Sequence, residues 1–138
     1  MRAAWVTSTE VPAGPEDLRA EEIAFEVFDP AAIEATVARW CQARRLTQRT
    51  DVARAGTDPR DESALAKEAD EHAHVADEVR LVTLGLVVYD VLALDGTRWL
   101  RIWLGPGDAI AVPARRYHRV LAPPATALGF VELFEDAT

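Results

Sequence analysis

The sequence predicts a mainly β protein, a small antiparallel barrel or sandwich carrying N-terminal helices. Three observations lead there. From about residue 71 onward, short runs rich in Val, Leu, Trp and Tyr alternate with turn signals, the pattern of consecutive strands. From Pro12 to about Asp70 the chain is instead rich in Ala, Glu and Arg at helical spacing. Its 138 residues, 49% hydrophobic, suffice for one buried core but not for two ordinary ones. One domain over residues 1–138 is therefore expected, with 1–69 as a helical layer bearing edge strands and 70–138 as the barrel.

In chain order, Arg2 to Thr7 and Ile23 to Phe28 read as short edge strands. Asp29-Pro30 opens a helix, with Asp29 as the N-cap and Pro30 at its first position. Ile33, Val37, Trp40 and Cys41 then recur on one helical face, which runs to about Arg45. Thr50 to Asp61, with Gly56 and Pro59, reads as a loop, and Glu62 to Ala69 as a short helix whose only clear apolar core residue is Leu65. Glu78 to Leu84 and Leu86 to Leu94 are successive strands, followed by Asp95-Gly96, a strong hairpin signal. Thr97 to Leu104 carries Trp99 and Trp103 and ends in the turn Gly105-Pro106-Gly107-Asp108. Ala109 to Val112, Tyr117 to Leu121 and Ala127 to Phe134 complete the set, with Pro123-Pro124 breaking the last two apart.

Composition narrows the function classes. A net charge of −8 provides no electrostatic footprint for nucleic acid or an anionic membrane. The longest apolar run, Leu84 to Tyr89, is far short of a membrane span. The N-terminus lacks the apolar stretch of a signal peptide, and one cysteine, Cys41, makes no internal disulfide. A cytoplasmic location without nucleic-acid or membrane partners is the expectation. The sequence is silent on oligomeric state.

All three histidines fall in the β-rich half. His72 and His74 are two apart, so on a strand they share a face, and Glu78 follows four residues later. His118 lies on a later antiparallel strand. Taken singly, a strand histidine is usually a packing or surface residue. Three imidazoles and a carboxylate together make a complete ligand set for a first-row transition metal. Arg80, two residues after Glu78, shares that residue's face and would point a fixed cation into the same space, against the plainer alternative of a surface ion pair.

Other candidates carry less. Cys41, on the apolar helix stripe with no histidine nearby in sequence, reads as a packing thiol. Trp99 and Trp103 share one strand face around Arg101, and packing against the helical layer is their expected role, a pocket wall the second choice. Gly105-Pro106-Gly107 is a turn with no helix N-terminus after it, so not a phosphate cradle. The Asp77-Glu78 pair could suggest acid/base work, but Glu78 is better placed as a ligand.

His72-Ala73-His74-Val75-Ala76-Asp77-Glu78 with Gly85 resembles the first cupin motif, and Gly107, Pro113 and His118 resemble the second. Arg115 stands where cupins usually have Gly, and Ala122 where many have Asn. The resemblance implies a cupin, or double-stranded β-helix, barrel that binds metal. More narrowly, Glu71-His72-Ala73-His74-Val75-Ala76-Asp77-Glu78-Val79-Arg80 looks like the EHxHxxDEVR signature of acireductone dioxygenases. Val112-Pro113-Ala114-Arg115-Arg116-Tyr117-His118-Arg119 and Gly107-Asp108-Ala109-Ile110 resemble that family's second block. The similarity covers roughly residues 70 to 135 well and continues loosely through the first half.

This resemblance implies one iron(II) or nickel(II) per chain, held by His72, His74, Glu78 and His118, with Arg80 helping to hold an anionic substrate. The implied substrates are O2 and an enediol ketone of methionine salvage, chelated through two oxygens. With iron the products would be a 2-oxo acid and formate; with nickel, a shorter carboxylic acid, formate and carbon monoxide. Four protein ligands on an octahedral ion leave two positions free for such chelation. Glu71 would serve packing or ligand support rather than ligation.

Three departures bear on the substrate. Val120 shares the His118 face where the family commonly has an aromatic residue, Glu68 stands where an apolar residue is frequent, and Glu132 replaces a substrate-binding Arg in the last strand. An inward Glu132 would repel a dianion unless paired with Arg80, whereas a one-residue register shift would turn it outside. Beside the dioxygenase stand two alternatives: a divergent metal-dependent isomerase, lyase or oxygenase acting on another small polar substrate, and a non-catalytic ligand sensor.

Overall fold

The computed structural model describes residues 1–7, 9–54, 71–122 and 127–135. The expected helix at 62–69, Gly56, Pro59, Glu68 and the Pro123-Pro124 break lie outside the described residues. The strands are β1 (Arg2–Val6), β2 (Glu10–Ala13), β3 (Ala24–Val27), β4 (Gln48–Arg54), β5 (Glu78–Leu84), β6 (Val87–Leu92), β7 (Trp99–Leu104), β8 (Asp108–Val112), β9 (His118–Leu121) and β10 (Leu128–Phe134). They form two five-stranded sheets, ordered β2-β1-β7-β6-β9 and β3-β8-β5-β10-β4. Every pairing is antiparallel. This is the cupin architecture, two facing sheets closed over one interior.

Alternation along the strands builds two cores. On β7, Leu100, Ile102 and Leu104 are fully buried and alternate with half-buried Trp99, Arg101 and Trp103. The inward set meets Val82, Tyr89, Val91, Ile110, Val120 and Phe130 between the sheets. A second core lies on the outer face of the β3-β8-β5-β10-β4 sheet. There Val79, Leu81, Ala109, Ala111, Val131 and Leu133 meet Val37 and Trp40 of a helix, with Cys41 packed alongside. β5 is buried from Glu78 to Val82, and within that stretch Val79, Leu81 and Val82 are apolar while Glu78 and Arg80 are the buried polar residues.

That helix, α2 (Ile33–Arg44), follows the shorter α1 (Pro15–Ala20). Asp29 accepts from the Ala31 N–H at 3.0 Å as the expected cap does, but the first turn, Pro30–Ala32, is a 3-10 turn. The Asp95-Gly96 turn falls between β6 and β7 as expected, with Gly96 at φ 73°.

Four findings differ from the sequence expectation. β4 occupies the start of the expected 50–61 loop; as the outermost strand of its sheet, its polar residues need only one buried face. β2 was not anticipated, and by pairing with β1 it moves β1 off the sheet edge. α1 was likewise not anticipated; its one buried residue is Leu18. Finally, Trp99 and Trp103 do not pack on the helical layer, which covers the opposite sheet. They lie on the outer face of the β7 sheet under arginines, Arg119 at 4.7 Å from the Trp99 ring and Arg2 at 3.9 Å from that of Trp103.

Candidate metal centre

The paired strand ends bring the histidines together through the main chain. His72 and His118 exchange both backbone hydrogen bonds, at 2.9 and 2.8 Å, in an isolated antiparallel bridge. His74 lies in a loop, not on a strand, so the period-2 argument reaches the right neighbourhood by a different geometry. The loop is held by the Arg115 N–H, which donates to the His74 carbonyl at 2.7 Å. Arg115 has φ 63°, the left-handed conformation that the glycine usual in cupins would adopt without strain.

The ring centroids of His72 and His118 are 4.3 Å apart, those of His72 and His74 5.0 Å, and those of His74 and His118 5.2 Å. One nitrogen from each of the three imidazoles lies within 4.8 Å of the others. Glu78, at the start of β5, reaches two of them: its Oε2 is 3.2 Å from His118 Nε2 and 3.5 Å from His74 Nε2. Donors bound at right angles about 2.1 Å from one ion would be about 3.0 Å apart, so these separations suit adjacent coordination positions.

Two further features fit a cation. Glu78 Oε2 and His118 Nε2 are buried and have no hydrogen-bond partner among the described residues. An anion and an imidazole nitrogen left facing each other in that way are both supplied by a shared ion. His118 Nδ1 lies 2.9 Å from the Arg116 carbonyl. The Nδ1–H tautomer satisfies that contact and leaves Nε2 as a free donor.

Electrostatics favour the binding forms of Glu78 and His74. Burial alone would raise the Glu78 carboxyl, but contact with His118, the Arg80 charge and the Glu132 side chain outweigh it and hold the group well below the usual carboxylate range. Burial lowers the His74 imidazole despite the attraction of Glu78, which favours the neutral ring.

Arg80 is 2% exposed, and its Nη2 donates to Glu78 Oε1 at 3.1 Å. Its guanidinium lies 4.2 Å from the Phe130 ring centroid. Glu132 is paired with Arg80 across β10 and β5, and its Oε1 is 3.8 Å from Arg80 Nη2. Glu132 thus faces inward, the arrangement in which the two charges offset each other. Val120 is buried in the inter-sheet core, and Glu71 is exposed.

Tyr89 was missed by sequence reasoning; its hydroxyl donates to Glu78 Oε1 at 3.4 Å. Its alternation on β6 opposite Val120 is the signal that marks it as inward-facing. A cavity of about 390 Å³ opens beside the cluster, with Thr50, His74, Glu78, Glu132 and Phe134 among its walls.

Comparison with known proteins gives a consistent family. A sequence model of the ARD/ARD' family matches residues 21–138. The acireductone dioxygenase of Leishmania infantum is 31% identical over 138 residues, covering 94% of this chain and 40% of the relative. Acireductone dioxygenase 1 of Coprinopsis cinerea is 33% identical over 86 residues, 62% of this chain and 48% of the relative. The matched stretch covers less than half the length of each of these curated relatives. A solved acireductone dioxygenase from Bacillus anthracis, with a cadmium ion in its active centre, superposes with a TM-score of 0.88. It is 17% identical, and the match covers 99% of this chain and 93% of that one. At that identity the likeness establishes the fold.

Proposed function

The chain belongs to the ARD/ARD' family, and from that membership we propose that it is a metal-dependent dioxygenase of the acireductone type. The observation that carries the reading is the convergence of three imidazole nitrogens within 4.8 Å of one another, with a buried carboxylate oxygen 3.2 and 3.5 Å from two of them. His72, His74, Glu78 and His118 would hold one ion, iron(II) or nickel(II), since both accept nitrogen and oxygen donors. When bound, the ion would supply Lewis-acid polarisation of two chelated substrate oxygens and a template for the reacting carbons.

The chain's own residues do the rest. Arg80, buried beside Glu78, sets a fixed positive charge against the enediolate end of the substrate. Tyr89 and Arg80 both donate to Glu78 Oε1, which leaves Oε2 directed toward the histidines. Backbone hydrogen bonds at His72, His74 and His118 fix the positions of the rings. The enediol would react with one O2 to give a 2-oxo acid and formate, with both oxygen atoms retained in the products. On nickel the products would be a shorter carboxylic acid, formate and carbon monoxide.

The proposed setting is methionine salvage in the cytoplasm; no helix among the described residues is long and apolar enough to cross a membrane. The inward Glu132 favours a second reading, a divergent metalloenzyme of this barrel acting on a different small polar substrate.

Oxygen uptake by the metal-loaded chain with a synthetic acireductone tests the first reading. One O2 consumed per formate released is the expected result. Substrate conversion that proceeds equally without oxygen would overturn it in favour of an isomerase or lyase.

A further inference from the structure

The ring of His118 takes its direction from the main-chain carbonyl of Arg116, 2.9 Å from its Nδ1. That carbonyl belongs to a turn closed by the Arg116 N–H, which donates to the Pro113 carbonyl at 3.3 Å. The turn holds Arg115 at φ 63° without a glycine's freedom, so local preference does not secure it. Contacts from outside must. Asp77 and the His74 carbonyl accept from the N–H groups of Ala114 and Arg115, at 2.8 and 2.7 Å. Both partners sit in the loop that carries His74, so those bonds tie one ligand loop to the other.

The Arg116 side chain ties the turn elsewhere. Arg115 points into solvent, whereas Arg116 beside it is buried. Its Nη1 donates to the Leu92 carbonyl at the end of β6 at 3.5 Å, and its Nη2 lies 3.9 Å from Glu22 Oε2. The Leu92 N–H donates in turn to the Tyr117 carbonyl at 2.9 Å, so one strand end meets two successive residues before His118. Glu22 is itself conspicuous. It holds φ 62° just past α1, the position where glycine is the usual helix terminator. Its neighbour Glu21 is buried and accepts from the Leu94 N–H at 3.2 Å. The turn after α1 is thereby fixed against the β6–β7 connection, with the Glu22 carboxylate facing the buried guanidinium.

We propose that Arg116 is a positioning residue for the metal centre: its side chain, anchored on the Leu92 carbonyl and Glu22, fixes the turn whose carbonyl holds the His118 ring with Nε2 directed at the ion. The consequence for metal binding rests on the metal-dependent reading given above. The anchor itself rests on the geometry of the turn alone.

Zinc is the probe, since it is redox-silent, diamagnetic and takes the same nitrogen and oxygen donors. In the wild type the His118 Nδ1–H proton should give a slowly exchanging imidazole NMR signal, with and without zinc. Arg116→Met keeps a buried apolar stem and removes the guanidinium. It should lower zinc affinity about tenfold in chelator competition and speed exchange of that proton, with the circular dichroism spectrum preserved. Arg116→Lys, which can still donate to the Leu92 carbonyl, should recover most of both losses. Glu22→Gln changes an exposed side chain, leaves the fold intact, and should move both readouts the same way by about twofold.

A folded Arg116→Met variant with wild-type affinity and exchange, or equal losses in the Met and Lys variants, would overturn the anchor. Should Arg116→Met fail to fold, Glu22→Gln decides, and unchanged exchange of the His118 proton there overturns it. If the wild type binds no zinc, the metal reading is wrong, while proton exchange in the metal-free chain still decides the anchor.

Discussion

Asp77 accepts a hydrogen bond from the main-chain N–H of Ala114 at 2.8 Å, and its other carboxylate oxygen pairs with Arg44 at 3.0 Å. One side chain thereby ties the loop before Glu78 to the loop before His118 and to the end of α2. Neither segment holds the ligand geometry alone, because His74 has no strand around it. Asp77→Ala retains all four donors and loosens their mutual positions. We expect metal affinity to fall about 10- to 100-fold, measured by competition with a chromophoric chelator, with the circular dichroism spectrum preserved. Unchanged affinity would show that the two loops hold their positions without this bridge.

Asp90 bears on stability rather than on chemistry. It is fully covered, by the flat side chains of the outer sheet face rather than by the core, and it pairs with Arg101 at 2.7 Å and Arg119 at 2.8 Å. Burial would raise its carboxyl, but the two guanidinium groups outweigh burial and lower it. A carboxyl whose folded pKa lies below its unfolded value stabilises the fold above the unfolded pKa, and that contribution is lost as pH falls through the folded pKa. Asp90→Asn should therefore cost about 2–3 kcal/mol at neutral pH, discounted for partial solvent screening. The gap between wild type and variant should stay constant from about pH 6 to 8 and shrink below about pH 4. Urea unfolding at several pH values measures it.

Two left-handed positions should respond in opposite directions. A Cβ on Gly85, at φ 80°, would lie 2.4 Å from the Ala127 carbonyl oxygen, so Gly85→Ala combines backbone strain with a clash against main chain. A loss of more than about 2 kcal/mol is expected. Arg115 holds φ 63° with an exposed side chain. Arg115→Gly should be neutral or stabilising by up to about 1 kcal/mol, relief of strain being partly offset by a freer unfolded chain. Thermal unfolding of both variants checks the pair, and destabilisation by Arg115→Gly would mean that the arginine side chain supports the ligand loop.

The features that could be read from sequence are those in which local chemistry and tertiary context agree. Asp95-Gly96 demands a tight turn whatever surrounds it, and β5 to β10 have the apolar content of buried strands. β4 fails that test because Gln48, Arg49, Thr50 and Asp51 are exposed on an outer strand and only Val52 contributes to the core. Trp99 and Trp103 mislead for a related reason. Large aromatics suggest a helix packed above them, yet arginine stacking covers them equally well.

At the metal centre, the residue types were readable and the geometry was not. His72 and His74 converge through a bridge and a loop rather than through strand alternation. The direction of Glu132 depends on the β10–β5 register, including an irregularity between Gly129 and Phe130 that no local signal announces.

The account depends above all on four side chains sharing one ion, and elemental analysis of the purified chain tests that directly. After loading and desalting at neutral pH, the wild type should retain one iron or nickel per chain and release it in acid as the imidazoles protonate. His118→Ala, checked for a folded β spectrum, should retain less than about a tenth of that under the same conditions. Full metal occupancy in folded His118→Ala would contradict the assignment and place the ion elsewhere.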